Sequence, residues 1–457
     1  MKKVKMGIRH FLARFSEDRA KEYGYIPLTI NLTDNLSVTL LSRHTTLLNI
    51  LSCRKDLPVQ TNANRFSFVA ASLSLMVTYV TSAVPIPLYG TYQLEDHVSY
   101  LELSLSSVIY FIGAVTALVL FGRLSNYWGR KTVSVISLLL AALSVIVFFN
   151  VHSAMPLIFG RLLQGLACGL ASTALASWVV DHAPSVPSWI PPAVISCGPM
   201  TGLTIGGVGS GFLIEYAPYP RLLPFSLAFC LIASCVMLVL KSHETMKRKP
   251  GALLSLKPSV KLPPSTKKAY PLAACTFVCT WALGGFFQAF GPAMAREQLH
   301  SQSAVAAALV FASIMAPSVI GASIAGRMAP SKAQFTGMLL FTVFVGSILL
   351  ALHQGLLSAF LAASICAGIA QGLVLTGSIG TMVSGLLPQE RANVFSVIYA
   401  TSYIGAAVPT FISGQLSEQF TLLQIANGYG ILALFGFMVV LLYRVIGTQK
   451  ETRRETL

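Results

Sequence analysis

One basic residue, Arg161, lies well inside a long apolar segment, and Gln164 follows it by three positions. At that spacing the two side chains share one face of a helix. A guanidinium in an apolar layer is costly, so Arg161 should face a protein interior or a wet cavity and have a partner there. Snorkelling of its side chain to the nearer membrane surface is the alternative. Gln164 and its counterpart Gln371 would either line such a cavity or form hydrogen bonds between helices.

Aromatic and amide side chains in other apolar segments could complete the wall of a cavity. They are Tyr79, Tyr110, Trp281 and Gln288. Aromatic rings supply large, flat contact surfaces for a ligand, and amides supply directional hydrogen bonds. An aromatic stripe in such a segment is also typical of packing against neighbouring helices or lipid, and the sequence leaves this alternative open.

Acidic residues are scarce where proton transfer would take place. Glu102 lies near the start of an apolar segment, and no Asp or Glu lies deep inside one. We take Glu102, together with Arg161 and Gln164, as the candidate coupling residues. No phosphate-binding loop, metal-ligand cluster or Ser/His arrangement accompanies them. The sequence therefore predicts no enzyme activity, no cofactor and no metal.

The composition excludes an ordinary soluble protein. Of the 457 residues, 54% are hydrophobic and 11% are charged, whereas soluble domains carry roughly 25% charged residues. From Phe66 onward, long apolar segments alternate with short polar breaks. Most are long enough for a helix to cross a bilayer, and lipid requires every backbone polar group to be paired internally. The twelve predicted spans are 66–88, 101–121, 132–149, 155–180, 191–214, 222–240, 270–294, 303–325, 336–352, 356–385, 394–414 and 425–445.

The formal net charge of +16 would suit either a nucleic-acid surface or a membrane surface. The placement of the cations decides between them. If the N-terminus is cytoplasmic, all 32 Lys and Arg residues except Arg161, Arg221 and Arg296 fall on the cytoplasmic side or in the terminal segments there. This is the positive-inside pattern of membrane proteins. We therefore expect a multi-pass protein of the cell membrane with both termini in the cytoplasm and no nucleic-acid partner.

The chain divides into two halves of six spans each. Residues 66–240 form the first half and residues 270–445 the second, and the Lys- and Pro-rich segment 241–269 is typical of a flexible cytoplasmic connection. Short matches recur in corresponding spans of the two halves. They are Gly122-Arg123 with Gly326-Arg327, Gln164-Gly165 with Gln371-Gly372, and Gly211 with Gly414. Such internal duplication is typical of transporters whose binding site lies between the repeats.

The two ends of the chain lie outside the spans. Residues 1–65 form a basic cytoplasmic N-terminal extension, and residues 446–457 form a cytoplasmic tail. Apolar residues between Val4 and Phe15 recur at helical spacing among basic ones, which would suit a short helix on an anionic leaflet. A tail without such a role is the alternative, and the sequence does not separate the two.

The segment after the second span carries a family resemblance. It reads Gly122-Arg-Leu-Ser-Asn126-Tyr-Trp-Gly129-Arg130-Lys131. It resembles the cytoplasmic loop signature of the major facilitator superfamily, Gly-x-Leu-x-Asp-x-x-Gly-Arg-Arg/Lys, with Asn126 at the acidic position. Glycines permit a tight turn, and the basic pair anchors the loop at the cytoplasmic face. The resemblance makes these residues a gating loop.

Two further motifs carry the same resemblance. Arg161-Leu-Leu-Gln164-Gly165 is similar to the Arg-x-x-Gln-Gly motif of the superfamily, in whose antiporters this arginine is implicated in proton coupling. The fifth span is similar to the glycine-rich motif of antiporter-type members, and small residues at such spacing let helices pack closely. Its packing glycines are Gly202, Gly206, Gly207 and Gly211.

On these motifs the chain is identified as a member of the major facilitator superfamily, of a bacterial drug/proton antiporter-like type. The resemblance implies an all-α membrane protein with twelve transmembrane helices in two six-helix halves, each of inverted three-plus-three repeats. It implies a monomer in the bacterial cytoplasmic membrane that moves a small-molecule substrate by alternating access. Our leading hypothesis is proton-coupled efflux of an amphipathic or drug-like compound. Uptake of a small organic solute or an anion is the alternative, and a non-transporting membrane sensor or scaffold is a third.

Overall fold

The computed structural model describes residues 63–187, 190–252, 256, 262–264, 266–384, 386 and 388–455. Twelve helices within these ranges are long and apolar enough to cross a membrane, which confirms the twelve predicted spans. In chain order they are α1 Ala63–Glu95, α2 Tyr100–Phe121, α3 Arg130–Phe148, α4 Ala154–Asp181, α5 Ile190–Tyr216, α6 Leu223–Lys241, α7 Tyr270–Gln298, α8 Ala304–Ala325, α9 Pro330–His353, α10 Leu357–Val383, α11 Val397–Leu416 and α12 Leu422–Ile446. Helical structure also precedes α11 from Pro388 and continues α12 to Glu455.

The first span is longer than the sequence predicts. Instead of ending near Leu88, α1 continues through a 3₁₀ turn, Ile86–Leu88, into a last stretch, Tyr89–Glu95. Pro85 and Pro87 lack the backbone N–H that a regular α-helix needs, so the helix tightens here rather than stopping. The amphipathic helix predicted near the N-terminus lies outside the described residues.

Three other spans also depart from a regular α-helix. The helix α8 is interrupted at Pro317, and α7 ends in a π-helical turn, Met294–Gln298. Pro199 lies inside α5. Each proline removes a backbone hydrogen bond, a loss that membrane helices tolerate where neighbouring helices cover the freed group. These interruptions fall in helices that surround the cavity described below.

We call the side that carries the loop Gly122–Lys131 and the segment 241–269 the basic side, and the other side the opposite side. The odd-numbered helices run from the basic side to the opposite side, and the even-numbered helices return. We call α1 to α6 the N-terminal half and α7 to α12 the C-terminal half. These names define directions in the protein, and the assignment of the basic side to the cytoplasm stays a prediction.

Glycines bring pairs of helices into backbone contact within each half. In the N-terminal half, a methyl group added at Gly113 of α2 would lie 2.8 Å from the Leu162 carbonyl oxygen of α4. In the C-terminal half, one added at Gly368 of α10 would lie 2.5 Å from the Ile314 carbonyl oxygen of α8. Only residues without a side chain permit such close approach. The second and fourth helices of each half therefore pack in the same way, which supports the duplication inferred from the sequence.

Candidate substrate cavity

A cavity of about 250 Å³ lies between the two halves. Residues from Leu75 of α1 to Tyr403 of α11 contribute to its wall, so both halves build it. The lining positions occupy the middle and basic-side parts of their helices. Examples are Ile195 near the start of α5 and Ile379 near the end of α10. The cavity is therefore reached from the basic side.

The five side chains that the sequence suggests for a cavity wall all line this cavity. Tyr79 and Tyr110 come from the N-terminal half, and Trp281, Gln288 and Gln371 come from the C-terminal half. The structure thus brings them together, although they are distant in the sequence. Their role in substrate binding stays a proposal, because lining a cavity is a matter of position alone.

Three cavity residues were missed by the sequence reasoning. Tyr403 of α11 packs edge-on against Trp281, with ring centroids 5.1 Å apart. Ser172 of α4 forms a hydrogen bond of 2.6 Å with the Tyr79 hydroxyl. Tyr399 lies one turn from Tyr403 and also lines the wall. Aromatic residues are frequent in all the spans, so no sequence signal separated these residues from lipid-facing ones.

The two cavity glutamines carry polar atoms that lack a hydrogen-bond partner among the described residues. The atoms are the Gln288 Nε2 donor and the Gln371 Oε1 acceptor. Each side chain is only 6% exposed. Buried polar atoms are usually paired, and leaving one unpaired costs about 1–3 kcal/mol. Both atoms are enclosed by the surrounding protein rather than exposed at the surface of the cavity, so this hydrogen-bonding capacity is unused in this conformation.

Arg161 is completely buried, at 0% exposure, which overturns the snorkelling alternative. Its Nη1 donates to the Ser82 carbonyl oxygen at 2.7 Å and to Gln164 Oε1 at 2.9 Å. The guanidinium carbon lies 4.6 Å from the centre of the Tyr110 ring, in cation–π geometry. No ion pair with Arg161 occurs among the described residues, and its Nε and Nη2 have no hydrogen-bond partner there. Arg161 does not line the cavity, because Tyr110 lies between them.

Gln164 binds between helices and does not line the cavity. Its Nε2 donates to the Thr81 carbonyl oxygen of α1 at 2.7 Å, while its Oε1 accepts from Arg161. The sequence left open whether these glutamines line a cavity or form hydrogen bonds between helices, and each alternative holds for one of them. Gln164 is the interhelical hydrogen-bonding residue, and Gln371 is the cavity residue.

Glu102, a candidate coupling residue near the start of a span, takes part in the cap of the helix α2, and its role in coupling stays a prediction. Its carboxylate accepts the Ser99 backbone N–H at 2.8 Å, and Ser99 Oγ accepts the Glu102 N–H at 3.2 Å. This reciprocal pair is a capping box at the start of α2. Glu102 lies at the opposite side of the membrane and not at the cavity. The first four N–H groups of a helix have no partner within the helix, which explains why an acid is placed here.

The basic-side loop turns at Gly129, whose φ of 96° is accessible to glycine and strained for other residues. The next residue, Arg130, donates from Nε to Asp181 at 3.1 Å and from Nη1 to Ser125 at 2.7 Å. These bonds connect the loop to the end of α4. The predicted anchoring by the basic residue therefore has a definite partner, Asp181.

Glu244 in the segment after α6 caps α3. Its carboxylate accepts the backbone N–H groups of Arg130 at 2.8 Å and Lys131 at 3.0 Å. The Lys131 Nζ in turn donates to the Leu240 carbonyl oxygen at 2.5 Å. An acid at a helix start is stabilised by the free N–H groups and the helix dipole. This acid is distant in the chain from the helix that it caps, so the local sequence of the loop does not indicate it.

The segment 241–269 was expected to be a flexible connection, but its first described part is bonded to the N-terminal half. Besides the Glu244 contacts, the Lys249 backbone N–H donates to the Tyr127 carbonyl oxygen at 2.9 Å. The His243 N–H donates to Ser67 Oγ at 3.1 Å. Because these hydrogen bonds connect the first part of the segment to the N-terminal half, we expect that part to move together with this half.

The glycines of α5 face two different neighbours. Methyl groups added at Gly202 and Gly206 would meet the backbone of α1, within the N-terminal half. Methyl groups added at Gly207 and Gly211 would instead meet Phe311 and other residues of α8, across the boundary between the halves. The helix α5 is therefore a close-packed contact both inside its own half and between the halves.

Hydrogen bonds join the halves on the opposite side. Arg296 at the end of α7 donates to the Gly90 carbonyl oxygen of α1 at 3.2 Å, and Tyr100 bonds to Glu297. Glu215 at the end of α5 accepts from the start of α8, where the Val305 N–H lies 2.9 Å away. The cavity is thus closed on this side by polar contacts between the halves.

The described cavity wall holds no acidic, basic or imidazole side chain. Its polar groups are hydroxyls, amides and one thiol, that of Cys197. The described residues also hold no cluster of His, Cys, Asp and Glu that could bind a metal ion. The arrangement can bind an uncharged molecule with flat apolar faces and a few hydrogen-bonding groups.

Twelve helices in two similar halves around a central cavity define a class of protein, the membrane carriers that work by alternating access. The sequence model of the Major Facilitator Superfamily matches residues 71–410. The chain belongs to this family of membrane transporters, and it is a multi-pass membrane protein with the twelve-helix fold of the family.

Curated relatives match parts of the chain. A molybdate-anion transporter of Takifugu rubripes is 29% identical over 174 residues, which are 35% of this chain and 36% of that protein. The sugar transporter ERD6-like 8 of Arabidopsis thaliana is 29% identical over 20% of this chain and 19% of its own length. The uncharacterized MFS-type transporter YybF of Bacillus subtilis (strain 168) is 31% identical over 41% of this chain and 45% of that protein. Each match spans less than half of the relative.

Among solved structures, a mutant form of the nucleoside transporter NupG superposes with a TM-score of 0.60. The match covers 82% of this chain and 99% of that one at 14% sequence identity. At such low identity the likeness concerns the fold alone. The names of these proteins differ in substrate, so they support transport as the general function and leave its direction open.

Proposed function

We propose that this chain exports a small amphipathic compound by alternating access, with the proton gradient as the driving force. The observation that carries the proposal is the cavity, which both halves build and which polar contacts close on the opposite side. Rocking of the halves would break those contacts and open the cavity there. The aromatic wall, with Tyr79, Tyr110 and Trp281, suits a compound with a flat apolar part.

The direction of transport rests on two arguments. The basic side carries most of the cations, so we assign it to the cytoplasm, and the cavity is then reached from the cell interior. The glycine-rich segment of α5, which resembles that of antiporters, lies where the halves meet, with Gly207 beside Phe311. A carrier of either direction opens its cavity to both sides in turn, so the preference for export over uptake rests on the second argument.

Proton coupling needs a titratable group that responds to the movement of the halves. Arginine side chains do not serve as proton donors and acceptors in proteins, and Glu102 caps a helix. The described carboxylates that bridge the halves are Glu215 and Glu297, on the opposite side. We assign the coupling protons to these two carboxylates, because protonation would remove the negative charge that each contributes to the closed contact.

The proposal is tested with purified protein in liposomes, with the uncharged dye Nile red as the first probe. We expect an imposed pH gradient to drive dye movement, and a protonophore to abolish it. Trp281→Ala should reduce the movement, whereas Phe212→Ala, at an exposed position on α5, should not. Movement that persists unchanged with the gradient collapsed would exclude proton coupling.

The coupling residues are tested separately. Glu215→Gln and Glu297→Gln should lose gradient-driven accumulation but keep downhill exchange of the dye. Glu95→Gln is the matched control, since Glu95 lies on the same side but binds Arg221 within its own half, at 2.8 Å. Normal gradient-driven transport in both variants would refute the assignment.

One observation favours the alternative of anion uptake. Arg161 is a buried cation without an ion pair among the described residues, and an anionic substrate could supply the missing charge. That role would require the Tyr110 ring to move, because it separates Arg161 from the cavity. Saturable uptake of an anion that Arg161→Gln abolishes would establish this alternative. If no compound moves through the folded protein, the chain is a sensor or scaffold.

A further inference from the structure

We propose that lipid-soluble compounds enter the cavity sideways from the bilayer, through a gap between α5 and α8 on the basic side. This inference rests on the proposed transport function and names the source of its substrate. The substrate would be an uncharged compound dissolved among the acyl chains of the basic-side leaflet. The inference depends on how α5 and α8 separate, on the prolines near that point, and on the depth of the gap.

Toward the opposite side, α5 and α8 are in contact along one stripe of each helix. A methyl group added at Gly207 of α5 would lie 3.1 Å from the Phe311 ring of α8. One added at Gly211 would lie 2.6 Å from the Ala308 methyl carbon. Helices at this spacing leave no room for a compound to pass between them.

Toward the basic side, the same two stripes continue but line the cavity. On α8, Met315 and Ala322 follow Phe311 by four and eleven positions, so they lie on the same helical face, and both line the cavity. On α5, Met200 precedes Gly207 by seven positions, on the same face, and it also lines the cavity. The faces that touch near the opposite side are therefore separated by the cavity near the basic side.

The basic-side part of α5 stands apart from its neighbours. The structure describes every residue from 192 to 201, and none of them is buried. No described atom lies within 4 Å of a methyl position at Gly198. Ile195, Ser196 and Cys197 all line the cavity, and at 3.6 residues per turn these consecutive residues span about 200° of the helix circumference. A helix in a continuous wall would present a single face, so the cavity extends around α5 toward the lipid.

Two prolines supply a physical reason for the separation. Pro199 lies nine residues from the basic-side end of α5, and Pro317 lies eight residues from the basic-side end of α8. At 1.5 Å per residue, both lie about 12–14 Å from those ends. A proline inside a helix removes one backbone hydrogen bond and bends the helix. The two helices can therefore diverge at a matched depth.

The depth of the gap determines what reaches it. The 27 residues of α5 extend about 40 Å, and the hydrocarbon layer is about 30 Å thick. With α5 centred in the bilayer, Met200 and Ser196 lie about 5 and 10 Å from the middle, among the acyl chains. An ion does not dissolve at this depth, whereas an uncharged apolar compound does. The side chains around the gap are mainly apolar and include Ile195, Met315, Val319 and Ala322.

The test uses a phosphatidylcholine that carries a diazirine midway along one acyl chain, in liposomes with the purified full-length protein. Light converts the diazirine to a carbene that labels what the chain touches, and mass spectrometry locates the label. We expect label at Met200 and Val319, inside the gap, as well as at Ile205, which is exposed on the outer face of α5. Excess Nile red should reduce the label at Met200 and leave that at Ile205 unchanged. Label confined to Ile205 and other outward-facing residues would overturn the inference.

Variants that fill the gap connect the labelling to transport. Ala322→Trp places a large side chain in the gap, so it should lose both the label at Met200 and the movement of Nile red. Ile320→Trp is the matched control, since Ile320 lies on the same helix and is 54% exposed, and it should keep both. Unchanged label at Ile205 shows that α5 is folded in each variant. Ser196→Trp fills the gap from α5 and serves where Ala322→Trp does not fold.

Nile red movement that continues after the label at Met200 is lost would also overturn the inference, because the dye would then enter from water. That result leaves the transport proposal in place as long as the movement follows the pH gradient. Conversely, label at Met200 that Nile red displaces, without movement of the dye through the folded protein, would refute transport and support the lateral entrance.

Discussion

Replacing Gly206 by alanine should destabilise the N-terminal half, whereas the same replacement at Gly209 should not. A methyl group at Gly206 would overlap the Val80 carbonyl group of α1. This obstacle is a backbone group, so it cannot rotate away as the end of a side chain could. Gly209 lies three residues further along the same helix and is exposed, and nothing lies within 4 Å of the corresponding methyl position.

The expected magnitude follows from two opposing effects. Overpacking a close contact typically costs about 1–3 kcal/mol, whereas alanine is favoured over glycine inside a helix by up to about 1 kcal/mol. Since α1 must move away from α5, we expect Gly206→Ala to cost about 1–2 kcal/mol. Gly209→Ala meets no obstacle and gains only the higher helix propensity of alanine, so it should be neutral or stabilising by up to about 1 kcal/mol.

The assay is thermal unfolding of the purified protein in detergent, followed by the fluorescence of its four tryptophans. All samples are heated at one scan rate, because unfolding of large membrane proteins is often irreversible and the midpoint then depends on the rate. The midpoint of Gly206→Ala should lie below that of the wild type, and the midpoint of Gly209→Ala at or above it. Equal midpoints for the two variants would refute the argument that backbone contact between α1 and α5 limits the side chain at Gly206.

Three further predictions concern charged and titratable side chains. Arg161→Ala should lower transport about tenfold or more while membrane insertion is retained, as measured by dye export and by membrane fractionation; wild-type export would leave Arg161 with a purely structural role. Glu244→Ala should destabilise the protein by about 1–2 kcal/mol through loss of the cap on α3, and Glu244→Gln by less, both read from thermal midpoints; equal midpoints for all three proteins would contradict the capping argument. Burial lowers the pKa of His182 below its ordinary value of 6.5, so below that pH the unfolded chain takes up a proton that the folded chain does not. Stability should therefore fall as the pH drops below about 6.5, and the fall should be smaller in His182→Phe; identical pH profiles of the two midpoints would rule out this contribution.

The spans could be predicted because lipid imposes one condition on every one of them. A chain that crosses the bilayer must pair its backbone internally and present apolar side chains for about twenty residues. Such segments are visible in the sequence without knowledge of their neighbours. The end of α1 was predicted too early because Pro85 and Pro87 look like a stop, whereas the chain continues through a 3₁₀ turn.

The partners of polar residues could not be predicted in the same way. The cap on α3 comes from Glu244, which lies beyond three further spans in the sequence and which no local pattern of the basic-side loop indicates. Gln164 and Gln371 share their local sequence and differ only in what the fold places beside them. Local patterns determine helices, and contacts between distant segments determine which polar side chains remain free to bind a ligand.

Two kinds of close contact explain how the halves could move as units. Within a half, glycines meet backbone atoms, as Gly113 does at the Leu162 carbonyl oxygen. Across the boundary, Gly207 meets the Phe311 ring and Gly414 meets the Ser104 side chain, whereas Gly211 meets both the Ala308 side chain and the Ala304 carbonyl oxygen. Side chains can change rotamer as surfaces slide, whereas a backbone group can move only with its whole helix. In the proposed rocking, the boundary at Gly207 and Gly414 would therefore rearrange through side chains, while the backbone contact at Gly113 keeps α2 and α4 together.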